Sequence, residues 1–368
     1  GQKESTGMVK AIQVLIVDDS TFMRKSLSSM LAKDPRIAIA GLARNGEEAV
    51  QLVHQLNPDV VTMDVEMPGM NGIEALKRIM AEHPVPVLMV SSLTTEGAGD
   101  TLKALELGAI DYIPKQLDGV AMKIHEIQDE LIAKIIAAAG VNMSRWLAAS
   151  GQRPEARHQS SRPSSIVPSL SAKTVSLTRG SRVVAIGCST GGPQALIEVL
   201  PAFPSDFPAG IVIVQHMPKT FTKPFADRMN ALCSLEVKEA AEGDEVKPGR
   251  ILIAPGGVQC RVKRKSITCT VIALTPNLEH HLHAPSADIM MQSVATVYEE
   301  RGIGVILTGM GHDGLEGMKA IKAAKGRTIA QDEKTCIVYG MPKAVVEAGC
   351  ADKVIPLSGV VGEILNMV

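Results

Sequence analysis

From Gln13 onward the chain alternates two kinds of apolar pattern. Short β-branched runs, QVLIVDD, IAIAGLA, DVVTMDV, VPVLMVSS and DYIPK, predict strands. Between them, TFMRKSLSSMLAK, GEEAVQLVHQL, GIEALKRIMAEH and DTLKALELG carry the spacing of amphipathic helices. Near-continuous apolar strands alternating with helices predict a parallel sheet covered on both faces, in about five units ending near Ala139. A second alternation begins at Arg182 with RVVAIG, PQALIEVLPAF, GIVIVQH and TKPFADRMNAL. VKPGRILIAPGG and CRVKRKSITCTVIAL interrupt it and read as inserted β-hairpin material. It resumes with IMMQSVATVYEER, GIGVILTGM, LEGMKAIKAAKG, RTIAQD, MPKAVVEAG and KVIP.

Between Ala149 and Gly180 the chain is rich in Ser, Arg, Pro and Gln and has few positions able to fill a core, so it reads as a mobile linker. Its Arg excess could touch an acidic partner, but a solvated spacer is the plainer reading. The expected organisation is a first α/β domain over residues 8–140, a linker over 141–180 and a second α/β domain over 181–368. Residues before Met8 read as a remnant ahead of a natural start.

Composition narrows the function classes. A formal net charge of -1 argues against a globally basic nucleic-acid binder, so no nucleic-acid partner is expected. With aromatics at only 2%, the cores must rest on aliphatic residues and the 18 Met. Six scattered cysteines with no CxxC pair read as buried, reduced thiols of a cytoplasmic protein. No apolar run approaches the ~20 residues that span a bilayer. Nothing demands more than a monomer.

In open parallel sheets ligands sit beyond the carboxyl ends of the strands. The first domain delivers Asp18 and Asp19 there, then Asp64 with Glu66, then Ser91 and Ser92, then Lys115. Carboxylates crowded at one edge repel each other unless a cation sits among them, and an all-oxygen set suits Mg²⁺. A hydroxyl and a lysine beside them would complement an anionic group such as a phosphoryl. Isolated polar residues at strand ends are ordinary, but this ordered set on successive strands is not.

VLIVDDS, DVVTMDVEMPGMNGIEAL, PVLMVSS and GAIDYIPK resemble the receiver domain of two-component response regulators, a flavodoxin-like five-stranded parallel fold. The resemblance implies that Asp64 accepts a phosphoryl group from a histidine kinase, with Mg²⁺ bound by Asp18, Asp19, Asp64 and the backbone at Glu66. It also implies that Ser91 is the switch hydroxyl, Tyr112 the switch aromatic and Lys115 the residue that meets the phosphoryl group.

In the second domain Gly187-Cys188-Ser189-Thr190-Gly191 lies between a strand and a helix, as a nucleophile on a tight turn would. Alone, the pattern fits equally well a Gly-rich turn or a phosphate-binding loop. Two further strands end in His216 and run on to Asp313, so Ser, His and Asp reach one edge as nucleophile, base and orienting acid. Their chain order differs from that of α/β-hydrolases, which points to an independent scaffold. His312 and the loop holding His280, His281 and His283 compete as ligands for a metal, although carboxylate partners at defined spacing are not evident. His54, His83 and His125 read as surface residues of the first domain.

The segments IGCSTGGPQAL, VIVQHMP, LIAPGG, HAPSAD, LTGMGHDG and AQDEKTCIVYGMPKAV resemble the catalytic domain of the chemotaxis protein-glutamate methylesterases, the CheB type. The resemblance implies a doubly wound α/β/α domain that hydrolyses γ-glutamyl methyl esters on chemotaxis receptors, releasing methanol, and also deamidates receptor glutamines. It implies Ser189 as nucleophile, His216 as base and Asp313 as acid, with Thr190 and Met310 near the oxyanion and no cofactor for the ester chemistry. Two rivals remain: a receiver driving a DNA-binding or docking output, and a nucleotide-binding enzyme. The first would want a basic face; the second an acidic residue where the strand instead ends in Gln215 and His216.

Overall fold

The structure, a computed structural model, describes residues 10–92, 94–115, 121–144, 181–278 and 281–368. The expected remnant before Met8, most of the expected linker, and the imidazoles of His125 and His280 lie outside the described residues.

The first domain is a five-stranded sheet in the order β2-β1-β3-β4-β5, from β1 (Ile12–Val17), β2 (Ile37–Ala43), β3 (Val60–Asp64), β4 (Val87–Ser91) and β5 (Asp111–Pro114). Every pairing in it is parallel. Helices α1 (Thr21–Leu31), α2 (Gly46–Leu56), α3 (Gly72–Glu82), α4 (Thr95–Glu106) and α5 (Ala121–Ala139) connect or follow the strands. Their starts are written in side chains. Ser20 accepts from Met23 N–H, Asn45 from Glu48 N–H, and Asn71 forms a reciprocal box with Glu74. Each cap satisfies a donor that the first helical turn leaves unpaired. β3 and β4 are buried along their whole length, as strands covered on both faces must be.

The second domain is a seven-stranded sheet in the order β14-β13-β12-β6-β7-β9-β8. Its strands are β6 (Val183–Cys188), β7 (Gly210–Gln215), β8 (Glu236–Glu239), β9 (Arg250–Ile253), β12 (Gly302–Ile306), β13 (Arg327–Gln331) and β14 (Lys353–Ile355), all paired in parallel. Helices α6 (Gly192–Val199), α7 (Lys219–Leu232), α8 (Ala287–Tyr298), α9 (Leu315–Ala323), α10 (Met341–Glu347) and α11 (Val360–Met367) complete the domain. The inserted hairpin is β10 (Val258–Arg264) with β11 (Thr270–Pro276) and forms its own two-stranded sheet. RILI, expected within the insertion, is instead β9 of the main sheet, paired on both sides. Its residues Ile251, Leu252 and Ile253 are fully buried, so burial of an apolar run in a parallel sheet decides the matter.

The two domains share apolar contact. One buried cluster includes Met63, Met89, Leu102 and Tyr112 of the first domain together with Leu196, Phe221 and Phe225 of the second. At the seam Arg228 of α7 pairs with Glu106, and the Gln194 amide of α6 donates to the carbonyls of Leu105 and Ala109. Among the described residues no helix is long and apolar enough to cross a membrane. The cysteines are all unpaired; Cys188, Cys260 and Cys350 are buried as expected, whereas Cys233, Cys269 and Cys336 are half-buried.

Candidate active site

β6 and β7 run side by side with Cys188 opposite Gln215, and the next residue on each strand is Ser189 and His216. The His216 N–H donates to Cys188 O at 3.1 Å, so the ladder carries on to the site itself. β12 flanks β6 on its other side, and the loop from β12 to α9 brings in Asp313. Ser189, His216 and Asp313 thus reach one sheet edge.

His216 Nε2 lies 2.7 Å from Asp313 Oδ2. Asp313 also accepts from Ser286 Oγ (2.7 Å), Ala287 N–H (2.7 Å) and Asp288 N–H (3.1 Å), which form the capped start of α8. Burial works to raise the Asp313 carboxyl, but His216 and these donors outweigh it and hold it well below the usual carboxylate range. An ionised acid can only accept, so Nε2 carries the proton and Nδ1 is left as a basic nitrogen. Nδ1 is buried and, among the described residues, has no hydrogen-bond partner.

The Ser189 turn is held from below. Ser189 N–H donates to Thr308 O at 3.0 Å, and Thr308 Oγ1 donates to Thr190 O at 2.9 Å. The Gln215 amide donates to Ser189 O and His216 O at 3.0 and 2.9 Å. Gly191 has φ 75°, a left-handed conformation that favours glycine, and a Cβ on Gly192 would run into Gln215 Oε1. These requirements explain the glycines after Ser189. Thr190 is buried, and Met310 follows Gly309, where an added Cβ would come within 3.0 Å of Ser189 Cβ. Among the described residues no hydrogen bond engages Thr190 N–H or Met310 N–H, which leaves two donors beside the nucleophile.

Gln215, Thr308 and Ser286 are functional-site residues that sequence reasoning missed. HAPSAD contained Ser286, a Ser before an apolar helical run, which is the signal of a helix cap. His283 of the same segment lies on His216, with ring centroids 3.9 Å apart.

At the first sheet's edge, ligand oxygens of Asp18, Asp19 and Asp64 lie within 4.8 Å of one another, and among the described residues this is the only such group of three acids, histidines or cysteines. Lys115 Nζ sits 2.6 Å from Asp64 Oδ2 and 3.3 Å from Asp18 Oδ2. Glu66 contributes its backbone N–H to Asp64 Oδ1 (3.2 Å); its exposed carboxylate stands outside the group of three. Burial, against the pull of Lys115 and with the push of Asp18, raises Asp64 to about 6. Three carboxylates face one ammonium, which leaves negative charge uncompensated, so an oxygen-seeking cation fits this group. A pocket of about 740 Å³ opens above it. Ser91 is buried, and its hydroxyl accepts from Thr101 Oγ1 at 2.6 Å and donates towards Gly97 O; it is engaged with α4. Tyr112 is buried on β5.

Residues 184–364 match the family description "CheB methylesterase" and residues 14–126 match "Response regulator receiver domain". A protein-glutamate methylesterase/protein-glutamine glutaminase from Nitratidesulfovibrio vulgaris is 49% identical over 363 residues, 96% of this chain and 99% of its own length. The chain belongs to the CheB methylesterase family. A second CheB relative of the same description, from Oleidesulfovibrio alaskensis, is 48% identical and covers 97% of this chain and 99% of itself. The crystal structure of the Thermotoga maritima CheB methylesterase catalytic domain covers 51% of this chain and 100% of its own, with a TM-score of 0.50 and 41% identity. This CheB-family chain is therefore a hydrolase with a receiver domain ahead of it.

Proposed function

We propose that the chain removes methyl groups from γ-glutamyl methyl esters of chemotaxis receptors, and deamidates receptor glutamines, with Ser189 as nucleophile. The observation that carries this reading is the 2.7 Å contact between His216 Nε2 and Asp313, which leaves Nδ1 free as the base beside Ser189. Nδ1 takes the Ser189 hydroxyl proton as Oγ bonds to the γ-carbonyl carbon. The carbonyl oxygen, now an oxyanion, is met by the free amides of Thr190 and Met310. As the tetrahedral centre collapses, the bond to the methoxy oxygen breaks and the proton on Nδ1 leaves with methanol. Water then repeats the sequence on the acyl-serine and frees the glutamate. With a glutamine substrate the leaving group is ammonia. Asp313 stabilises the charged imidazole and keeps its own proton-free state throughout.

The first domain supplies control. Asp64 accepts a phosphoryl group from the chemotaxis histidine kinase, Lys115 meets its oxygens, and Asp18, Asp19, Asp64 and the Glu66 backbone would hold Mg²⁺. When bound, that ion neutralises charge on the transferring phosphoryl group. The new charge draws on Ser91 and Lys115, and Tyr112 carries the change to the seam that restrains the second domain. In this reading residues 8–140 regulate, 141–180 tether and 181–368 catalyse, in one cytoplasmic chain. Mass spectrometry of a methylated receptor incubated with the protein tests the reaction. Expected is loss of one methylene per esterified glutamate; receptors left unchanged would contradict it.

A further inference from the structure

His283 belongs to the segment between β11 and α8, whose Ser286 holds the acid. Its ring lies nearly parallel to that of His216, with centroids 3.9 Å apart and planes 14° apart. The segment is pinned by the inserted hairpin. Gln259 of β10, itself buried, donates to His283 O at 2.7 Å and to Asn277 Oδ1, while its Oε1 accepts from Ser286 N–H at 2.9 Å. Gln259 therefore fixes together the residue that covers the base and the residue that orients the acid.

We infer that His283 is a positioning residue for the reaction, a flat lid that keeps the His216 ring in the plane joining Asp313 to Ser189. An unsupported imidazole can rotate about its side-chain bonds and lose the acid on one side and the serine on the other. A ring stacked on it blocks that rotation and excludes water from its face. The charged and titratable groups around His283 are His216, Asp313, Glu130 and His312. Burial, reinforced by His216, pushes His283 down to about 4, so near neutrality it is an uncharged π-face. Such a face can lie against the imidazolium that forms on His216 without repelling it.

The inference rests on Ser189, His216 and Asp313 as the reacting set, and the test separates the two. Methanol release from methylated receptor membranes is measured for the full chain, activated with acetyl phosphate and Mg²⁺, as wild type, His283→Ala, His283→Phe and Ser189→Ala. His283→Ala should lose about 10- to 100-fold in kcat with KM within about twofold, and the flat, non-titrating His283→Phe should stay within about threefold of wild type. Nitrogen-15 NMR should show the Nε2–H form of His216 sharp in wild type and His283→Phe and broadened in His283→Ala. Wild-type kcat in His283→Ala overturns the inference. So does a His283→Phe as poor as His283→Ala, which would mean that the imidazole nitrogens themselves are needed. A loss confined to KM would move His283 to substrate binding and overturn it as well. Full turnover in Ser189→Ala overturns the reading beneath it; loss there with full turnover in His283→Ala overturns this inference alone.

Discussion

Tyr112 on β5 of the first domain lies almost flat on Phe221 of α7 in the second, with ring centroids 4.8 Å apart and planes 11° apart. Lys134 Nζ is near the same Tyr112 ring, 5.1 Å from its centre, and donates to Tyr112 O at 2.7 Å. Tyr112, three residues before Lys115 on the chain, is thus also a buried element of the domain seam. At the rim of that seam the Arg228–Glu106 pair is partly exposed, a setting in which ion pairs contribute roughly 0.2–1 kcal/mol. Arg228→Glu should loosen the seam without disturbing either core. Turnover without phosphodonor should rise roughly two- to fivefold, with phosphorylated turnover little changed. Unchanged basal methanol release would count against restraint by the first domain.

The raised Asp64 carboxyl gives a pH dependence whose sign is fixed. A carboxyl whose folded pKa of about 6 exceeds its unfolded value of 3.8 binds more protons folded than unfolded between those values. Stability from this group is therefore greatest at low pH and is lost as pH rises from about 4 through about 6. Asp64→Asn should stabilise the first domain at pH 8 by on the order of 1–3 kcal/mol, with the difference vanishing near pH 4. Thermal unfolding across that range checks it, and equal midpoints at pH 8 would refute it.

Gln215 is 2% exposed and ties the backbone of the nucleophile to that of the base. Gln215→Leu keeps most of the volume but removes the donor to His216 O and one of the two donors to Ser189 O, which keeps Gly192 N–H. Stability should drop by about 1–3 kcal/mol. Turnover should fall about 100-fold through displaced geometry, with KM little affected. Wild-type kcat in a folded Gln215→Leu would show that the tie is dispensable.

Much of this was legible along the chain, for physical reasons. IAIAGLA and GEEAVQLVHQL are bounded by turn and cap residues, and β2 and α2 occupy those spans. The start of α4 was hidden because Gly97 and Gly99 dilute its helical pattern, while Thr94 caps it six residues before the expected start at Asp100. EVKE of β8 is a polar edge strand with one fully inward residue, Val237, too short for alternation to register. The terminal helix α11 is eight residues long and interrupted by Gly362. At the site, Ser189, His216 and Asp313 could be read because parallel strands deliver their last residues to one edge. Gln215, Thr308 and Ser286 could not, since each acts through bonds to residues 26 to 118 positions away. His283 was visible only as one imidazole among several; its stacking on His216 depends on Gln259 in the hairpin.

The central claim is tested most directly by methanol release from methylated receptor membranes, comparing wild type with Ser189→Ala, each with and without acetyl phosphate and Mg²⁺. The account predicts release that rises with phosphodonor in wild type and falls by roughly four or more orders of magnitude in Ser189→Ala under both conditions. Release that persists in Ser189→Ala, or that ignores the phosphodonor in wild type, would contradict it.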